Sequence, residues 1–394
     1  MVREERALLQ ILRAYLRREA PRLPEDTDWD RLTKLAHIHN VSGILGYMTL
    51  SFPLCPDAQR VKAFRGTCLG TMAACANRAA LAQQLSESLS REGIDHIAMK
   101  GFVLRHFYPV PELRTFGDID LVISQEDRVR CHEFMISHGF GVKTDWEPVY
   151  SYTRGSEFYE LHTKILEVDV WEKAEHRGYF ASLWNNALPV DGHRWEFKPE
   201  FHFLYLLTHI AKHVTGSGAG IRMYLDVAVF LQHYGDSLDW AFVHRKLKEL
   251  ELEKFAGTVL ALVAECFGIP SPIAMEPVSP EVLGDFLELT MAGGIFGRSA
   301  GDSGVDSLKR DSRNGKGISR RATLLRRLFP GAKSIESRYT YLQDKPWLLP
   351  VAWVHRLVKT RQEWRSHARE ARNILTADQD TVAGLTRLYR DIGL

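Results

Sequence analysis

Leu8, Leu9, Ile11, Leu12 and Leu16 recur at helical spacing. They predict an amphipathic helix that Pro21, Leu23 and Pro24 bring to an end. Asp28 is placed to cap a second helix running from Trp29 to His39. An Ala-rich stretch from Val61 to Arg91 has few breakers and reads as one long helix, with Gly93 at its stop. The period then changes. His96 to Met99 is a short apolar run that predicts a strand, closed by Lys100-Gly101. A short helix from Phe102 to Tyr108, stopped by Pro109, leads to a second strand at Ile119 to Ile123. Asp127 to His138 is helical, and the Gly139-Phe140 that follows feeds another strand. Val149 to Thr153, Glu157 to Thr163 and Glu167 to Val170 alternate as short strands. From Pro199 the helical period returns in FHFLYLLTHIAKHV, MYLDVAVFLQHY, LDWAFVHRKLKEL and FAGTVLALVAECFG, and again at Leu283 to Met291. The order predicts an α+β chain. An N-terminal helical segment spans 1–90, a small mixed-sheet core spans 91–195, and a C-terminal helical domain spans 196–394.

Length agrees with more than one unit, because 394 residues exceed what a single hydrophobic core usually supports. Lys and Arg total 51 against 49 Asp and Glu, a formal charge of +2. That balance excludes a polycation whose affinity comes from bulk charge, and it leaves local patches open. The five cysteines (Cys55, Cys68, Cys75, Cys131 and Cys266) are odd in number and form no CxxC pair, the pattern of buried thiols in a reducing compartment. The N-terminal stretch is charged and amphipathic, unlike a signal peptide, and the apolar run from Phe201 to Ala211 is too short to span a bilayer. A cytoplasmic location is therefore expected. Gly293 to Gly317 holds seven Gly and four Ser, the composition of a flexible loop. Between Lys316 and Arg372 fourteen Lys/Arg meet four Asp/Glu, with Trp347, Trp353 and Trp364 interleaved. These basic helices could meet RNA, an acidic peptide or a membrane surface, or could pack their aromatics inward as a solvated helical face.

The richest chemistry lies in Asp118-Ile119-Asp120-Leu121-Val122-Ile123. On a strand, Asp118 and Asp120 share one face while Ile119, Leu121 and Ile123 take the other. Two carboxylates facing the same way, roughly 6.5 Å apart along the strand, repel unless a cation sits between them. Mg²⁺ binds in that manner, through one or two carboxylates plus substrate phosphates. Lys100-Gly101, ending one strand and opening a helix, suits an anion such as a triphosphate. Arg114 lies within reach of a phosphate, and Arg105 is a weaker candidate. A third acid is available at Asp169, with Glu160 and Glu167 competing for the place. It could bridge to a second metal and accept the proton of an attacking hydroxyl.

These residues carry a resemblance. Lys100-Gly101, Arg114, Gly117-Asp118-Ile119-Asp120-Leu121-Val122 and Val168-Asp169-Val170-Trp171 resemble the bacterial nucleotidyltransferase family of the DNA polymerase β superfamily. The likeness extends into Leu206 to Asp226, where the family carries a helical His/Lys/His…Asp segment, and to RYTYLQDKPWLLP near the C-terminus. It implies a minimal nucleotidyltransferase core, Mg²⁺ (or Mn²⁺), and transfer of an NMP group from NTP, with ATP the expected donor, releasing pyrophosphate. Asp118 and Asp120 match the metal-binding pair and Asp169 the third acid. The superfamily turn is usually Gly-Gly or Gly-Ser. Here it is Lys100-Gly101-Phe102, so phosphate must be gripped differently.

The helical half supplies further candidates. His209, Lys212 and His213, with Arg222 and Asp226, are placed to touch nucleotide or acceptor, or to stitch two helices together. His209 and His213 stand four apart as a zinc pair would, but no HExxH glutamate or third ligand accompanies them. Gly216 to Gly220 lacks the Lys-Ser/Thr of a P-loop and reads as a helix connection. The expected partners are NTP and an acceptor: a small molecule, a peptide, a protein or, less favoured, RNA. A kinase-like phosphotransferase and a non-catalytic nucleotide- or RNA-binding protein are the alternatives that the same residues allow.

Overall fold

The computed structural model describes residues 2–166, 174–216, 218–293, 324–325, 328–335, 339–359, 372 and 379–394. The chain opens with four helices, α1 (Arg3–Arg17), α2 (Trp29–Ile38), α3 (Ser42–Ser51) and α4 (Ala58–Arg91). The apolar stripe of α1 is wholly buried, and the Asp28 carboxylate accepts the Asp30 and Arg31 N–H groups at 3.0 Å, capping α2. Helix α4 has 34 residues, about 51 Å. Its first half lies against α3, where a Cβ on Gly46 would stand 2.6 Å from the Phe64 carbonyl oxygen. Its second half backs the sheet.

That sheet has seven strands: β1 (His96–Ala98), β2 (Asp118–Ile123), β3 (Gly141–Trp146), β4 (Val149–Arg154), β5 (Glu157–His162), β6 (Ala187–Asp191) and β7 (Arg194–Phe197). The order is β3-β4-β5-β2-β1-β7-β6. Strands β2 and β5 run parallel, as do β1 and β7, and the other neighbours are antiparallel. The sequence reading anticipates β1 to β5. The β6–β7 hairpin, which extends the sheet beyond β1, adds to it. Exposed Leu188 and Val190 on β6 blur the inside-outside alternation that would mark it. Short helices α5 (Lys100–Leu104), α6 (Arg128–Ser137) and α7 (Ala174–Ala181) connect the strands.

Alternation along β2 divides the molecule. Ile119, Leu121 and Ile123, with Tyr159 and Leu161 of β5, pack against Ala79, Ala82, Leu85 and Leu89 of α4 and Cys131, Phe134 and Met135 of α6. The opposite face, through Ile97 and Val122, joins a larger core built from α8 (Pro199–Thr215), α9 (Ile221–Tyr234), α10 (Trp240–Glu249), α11 (Glu253–Phe267) and α12 (Pro280–Gly293). The same cluster takes in α1, whose Arg13 Nε donates to the Cys266 carbonyl at 3.2 Å, and the C-terminal helix Gln379–Ile392, whose Tyr389 hydroxyl donates to the Val214 carbonyl at 2.7 Å. All five cysteines are buried free thiols. No described helix is long and apolar enough to cross a membrane. The Gly-rich stretch after Gly293 lies outside the described residues, as does much of the basic stretch from Lys316 to Arg372.

Candidate active site

The polar face of β2 carries Asp118, which is half-buried, and Asp120, which is buried at 4% exposure. Parallel pairing with β5 sets Asp120 opposite Glu160 and Val122 opposite His162. Paired residues in a parallel ladder point to the same side, so an Asp-x-Asp and a Glu-x-His present their side chains together. His162 Nε2 lies 3.0 Å from Asp120 Oδ1 and 3.4 Å from Glu160 Oε2. One ligand atom from each of Asp120, Glu160 and His162 falls within 4.8 Å of the others.

Lys100 completes the group from the first position of α5. Its ammonium is 2.5 Å from Asp120 Oδ1 and 4.0 Å from Glu160 Oε2. The Met99 N–H donates to the Asp120 carbonyl at 3.2 Å, pinning the end of β1 beside the acid. Lys100 adopts a left-handed backbone, φ +50°, sparsely populated for residues with a Cβ. Burial opposes charge on Asp120 and on Lys100, but each is the other's remedy. Asp120 is held well below the usual carboxylate range by Lys100 and His162, and Lys100 well above the usual ammonium value by Asp120. Asp118 has the opposite fate. Burial, then the charges of Asp120 and Glu160, push its carboxyl up.

The glycine of the turn has a packing role. A Cβ on Gly101 would stand 2.4 Å from Arg114 Nη1 and 2.4 Å from Phe116 Cβ, so the bare backbone is what lets the segment before β2 cross α5. Arg114 is engaged elsewhere. Its Nε and Nη2 donate to the two Asp226 oxygens at 3.0 and 2.6 Å, and its Nη1 to the Thr115 carbonyl at 2.7 Å. The Tyr108 hydroxyl donates to Asp226 Oδ1 at 2.7 Å. This pair ties the segment before β2 to α9. Arg222, one turn before Asp226, also donates to the Thr115 carbonyl, and its Nε is buried without a hydrogen-bond partner. Burial and the neighbouring Arg114 push the Arg222 guanidinium down to about 10. Arg105 meets Glu112 at 3.4 Å.

Helix α8 looks onto the same face. His209 stacks on Tyr205, ring centroids 5.8 Å apart, and lies 4.6 Å from the His213 ring. Its pKa falls well below the ordinary value, through burial first and then through His213, Lys100, Lys212 and His162, so it is neutral at physiological pH. The structure thus brings Lys100, Asp118, Asp120 and Glu160 together, with His209 and Lys212 close by. It places Arg114 in a buried ion pair and His213 beside His209. Asp169 and Glu167 lie outside the described residues. His162 is the residue that sequence reasoning missed, although Glu160-Leu161-His162 repeats the alternation of Asp118-Ile119-Asp120.

A family model described as an uncharacterised nucleotidyltransferase matches residues 25–268. The chain belongs to that nucleotidyltransferase family. The match takes in both faces of the sheet, Lys100, the β2 and β5 acids and all of α8 to α11. The RYTYLQDKPWLLP region and the rest of the basic C-terminal stretch lie beyond it. No curated protein and no solved structure matches the chain.

Proposed function

We propose that this nucleotidyltransferase moves an NMP group from an NTP, with ATP foremost, to an acceptor hydroxyl or phosphate and releases pyrophosphate with the help of Mg²⁺. The observation that carries the reading is the meeting of Asp118, Asp120 and Glu160 on one sheet face, within the stretch the family model matches. A divalent ion fits there. The donors are carboxylates that repel one another, and a cation of the protein's own, the Lys100 ammonium, already lies against two of them. Asp118, Asp120 and Glu160 would hold the ion, which supplies charge neutralisation at the phosphates.

The protein's own groups do the rest. With the carboxylates engaged, Lys100 pairs with a phosphate oxygen instead of Asp120. Arg222, a buried guanidinium crowded by Arg114, gains from an anion beside it. Neutral His209, with Lys212 and His213 on α8, lines the nucleotide side. Glu160 faces Asp120 across the β2–β5 pair, with ligand atoms within 4.8 Å, and Asp169 is the competing assignment for the group that takes the acceptor's proton. Catalysis by this set is positioning and charge stabilisation. Incubation with each labelled NTP, Mg²⁺ and a cell extract, followed by mass analysis, tests it. Products heavier by a nucleotidyl group support the reading. Products heavier by one phosphoryl group make the chain a phosphotransferase. Turnover unchanged in Asp118→Asn and Asp120→Asn refutes a catalytic role for the pair.

A further inference from the structure

We infer that the ion site at β2 and β5 includes an imidazole ligand, His162, and so takes a borderline divalent transition ion more tightly than it takes Mg²⁺. The inference rests on the proposed function for the ion's presence and concerns its chemical class.

Asp120, Glu160 and His162 are held by the β2–β5 register, not by flexible loops, so their relative placement is fixed by ladder hydrogen bonds. Their ligand atoms lie within 4.8 Å of one another, close enough to converge on one ion. A second observation points to a cation at this spot. The Lys100 ammonium sits 2.5 Å from Asp120 Oδ1 and 4.0 Å from Glu160 Oε2, occupying the electrostatic minimum that the acids create. His162 Nε2 approaches the same Asp120 oxygen at 3.0 Å. In that arrangement Nε2–H donates to Asp120. The tautomer with its hydrogen on Nδ1 turns the Nε2 lone pair to the same point.

Donor chemistry then selects the ion. Mg²⁺ is a hard cation that takes oxygen ligands and gives up water reluctantly. Imidazole suits the later first-row ions, whose affinity for mixed nitrogen and oxygen sites rises along the series from Mn²⁺. An imidazole added to the carboxylates makes the set better for a borderline first-row transition ion than carboxylates alone, with no matching gain for Mg²⁺. His209 also borders the face, its ring stacked on Tyr205, while the converging ligand atoms are those of Asp120, Glu160 and His162.

Mn²⁺ is the probe, and the full-length chain the sample. Electron spin echo spectroscopy of bound Mn²⁺ should show ¹⁴N coupling in the wild-type protein. His162→Gln, checked for folding by circular dichroism, should lose that coupling and bind Mn²⁺ about tenfold or more weakly, while Mg²⁺ affinity by calorimetry moves less. The wild-type spectrum stands even if the variant folds poorly. Absence of ¹⁴N coupling, or its persistence in folded His162→Gln, overturns the inference and leaves the carboxylate site intact. Mn²⁺ binding unchanged in Asp120→Asn overturns the site itself, and with it the metal assignment on which the proposed function rests.

Discussion

Two ionic clusters flank the segment that leads into β2, and they are built to opposite rules. At Asp226 the pair with Arg114 is buried and closely matched. Arg114 makes two hydrogen bonds to the carboxylate, Tyr108 adds a third, and both charged side chains are under a tenth exposed. Around Asp120 the count does not close. Three acids, Asp118, Asp120 and Glu160, face one ammonium, and Asp118 is pushed toward its neutral form because burial and its neighbours leave it undercompensated. The first arrangement is what a fold uses to lock a chain segment. The second keeps repulsion in reserve that an incoming cation relieves. The contrast separates a structural ion pair from a site by charge balance, with both lying in the same layer.

Reciprocal substitutions break the comparison most directly. Asp120→Asn should reduce nucleotidyl transfer on the order of a thousandfold and cost less in urea unfolding than Asp226→Ala, because Glu160 still faces the Lys100 ammonium and the repulsion on Asp118 is relieved. Asp226→Ala should do the reverse in kind. It strands Arg114, with Arg222 beside it, in a buried setting, for a loss of about 3–5 kcal/mol in urea unfolding. Replacing the pair together, Arg114→Met with Asp226→Leu, should cost clearly less than Asp226→Ala alone. If Asp120→Asn unfolds the chain and Asp226→Ala does not, the two clusters have been assigned the wrong way round.

Much of this was legible in the residues, because it rests on periods. Alternation in Asp118 to Ile123 correctly divides β2 into an apolar back and an acidic front, and the 3.6 period marks the helices that cover both. What stays hidden depends on pairing. Nothing local says that β5 lies parallel to β2 with Glu160 opposite Asp120, and only that register makes His162 a neighbour of the acids. Arg114 reads as a phosphate ligand until α9 brings Asp226 across 112 residues to hold it. The β6–β7 hairpin escapes notice because its first strand is mostly exposed.

Buried histidines offer a smaller effect that sharpens the same contrast between satisfied and unsatisfied groups. His39 has both ring nitrogens engaged, accepting the Ile221 N–H at 3.3 Å and donating to the Met291 carbonyl at 3.2 Å. His202 has its Nε2 buried without a partner. Burial lowers each from 6.5 to about 4. Both are neutral in the fold, so on acidification the unfolded chain takes up protons first. Stability should be level above about pH 6.5, fall between 6.5 and 4, and level again for these groups below 4. Each histidine contributes about 3 kcal/mol to that fall. His39→Gln should remove its own share of the drop, about 3 kcal/mol, leaving the parts due to His202, His96, His106 and His209, read from urea midpoints across the range. A pH profile identical to wild type would deny His39 its part.

The smallest effect is expected at Gly101, where the two clusters touch. Its missing side chain leaves the space that Arg114 Nη1 and Phe116 Cβ fill, each 2.4 Å from where a Cβ would be. Phe116 is fixed in the core behind the sheet and Arg114 is fixed by Asp226, so neither can simply swing away. Gly101→Ala must therefore move α5, at about 1–3 kcal/mol, and α5 begins with Lys100. The substitution should lower activity by shifting the ammonium off Asp120, and it should do so more than its modest stability loss explains. Gly139→Ala is the control. Its left-handed backbone, φ +79°, makes alanine strained there too, but a Cβ at that position meets nothing within 4 Å, and the turn leads into β3 at the sheet edge rather than into β2 or β5. Equal stability losses with activity lost only in Gly101→Ala would show that Gly101 holds the ammonium in register. Equal activities would reduce Gly101 to packing alone.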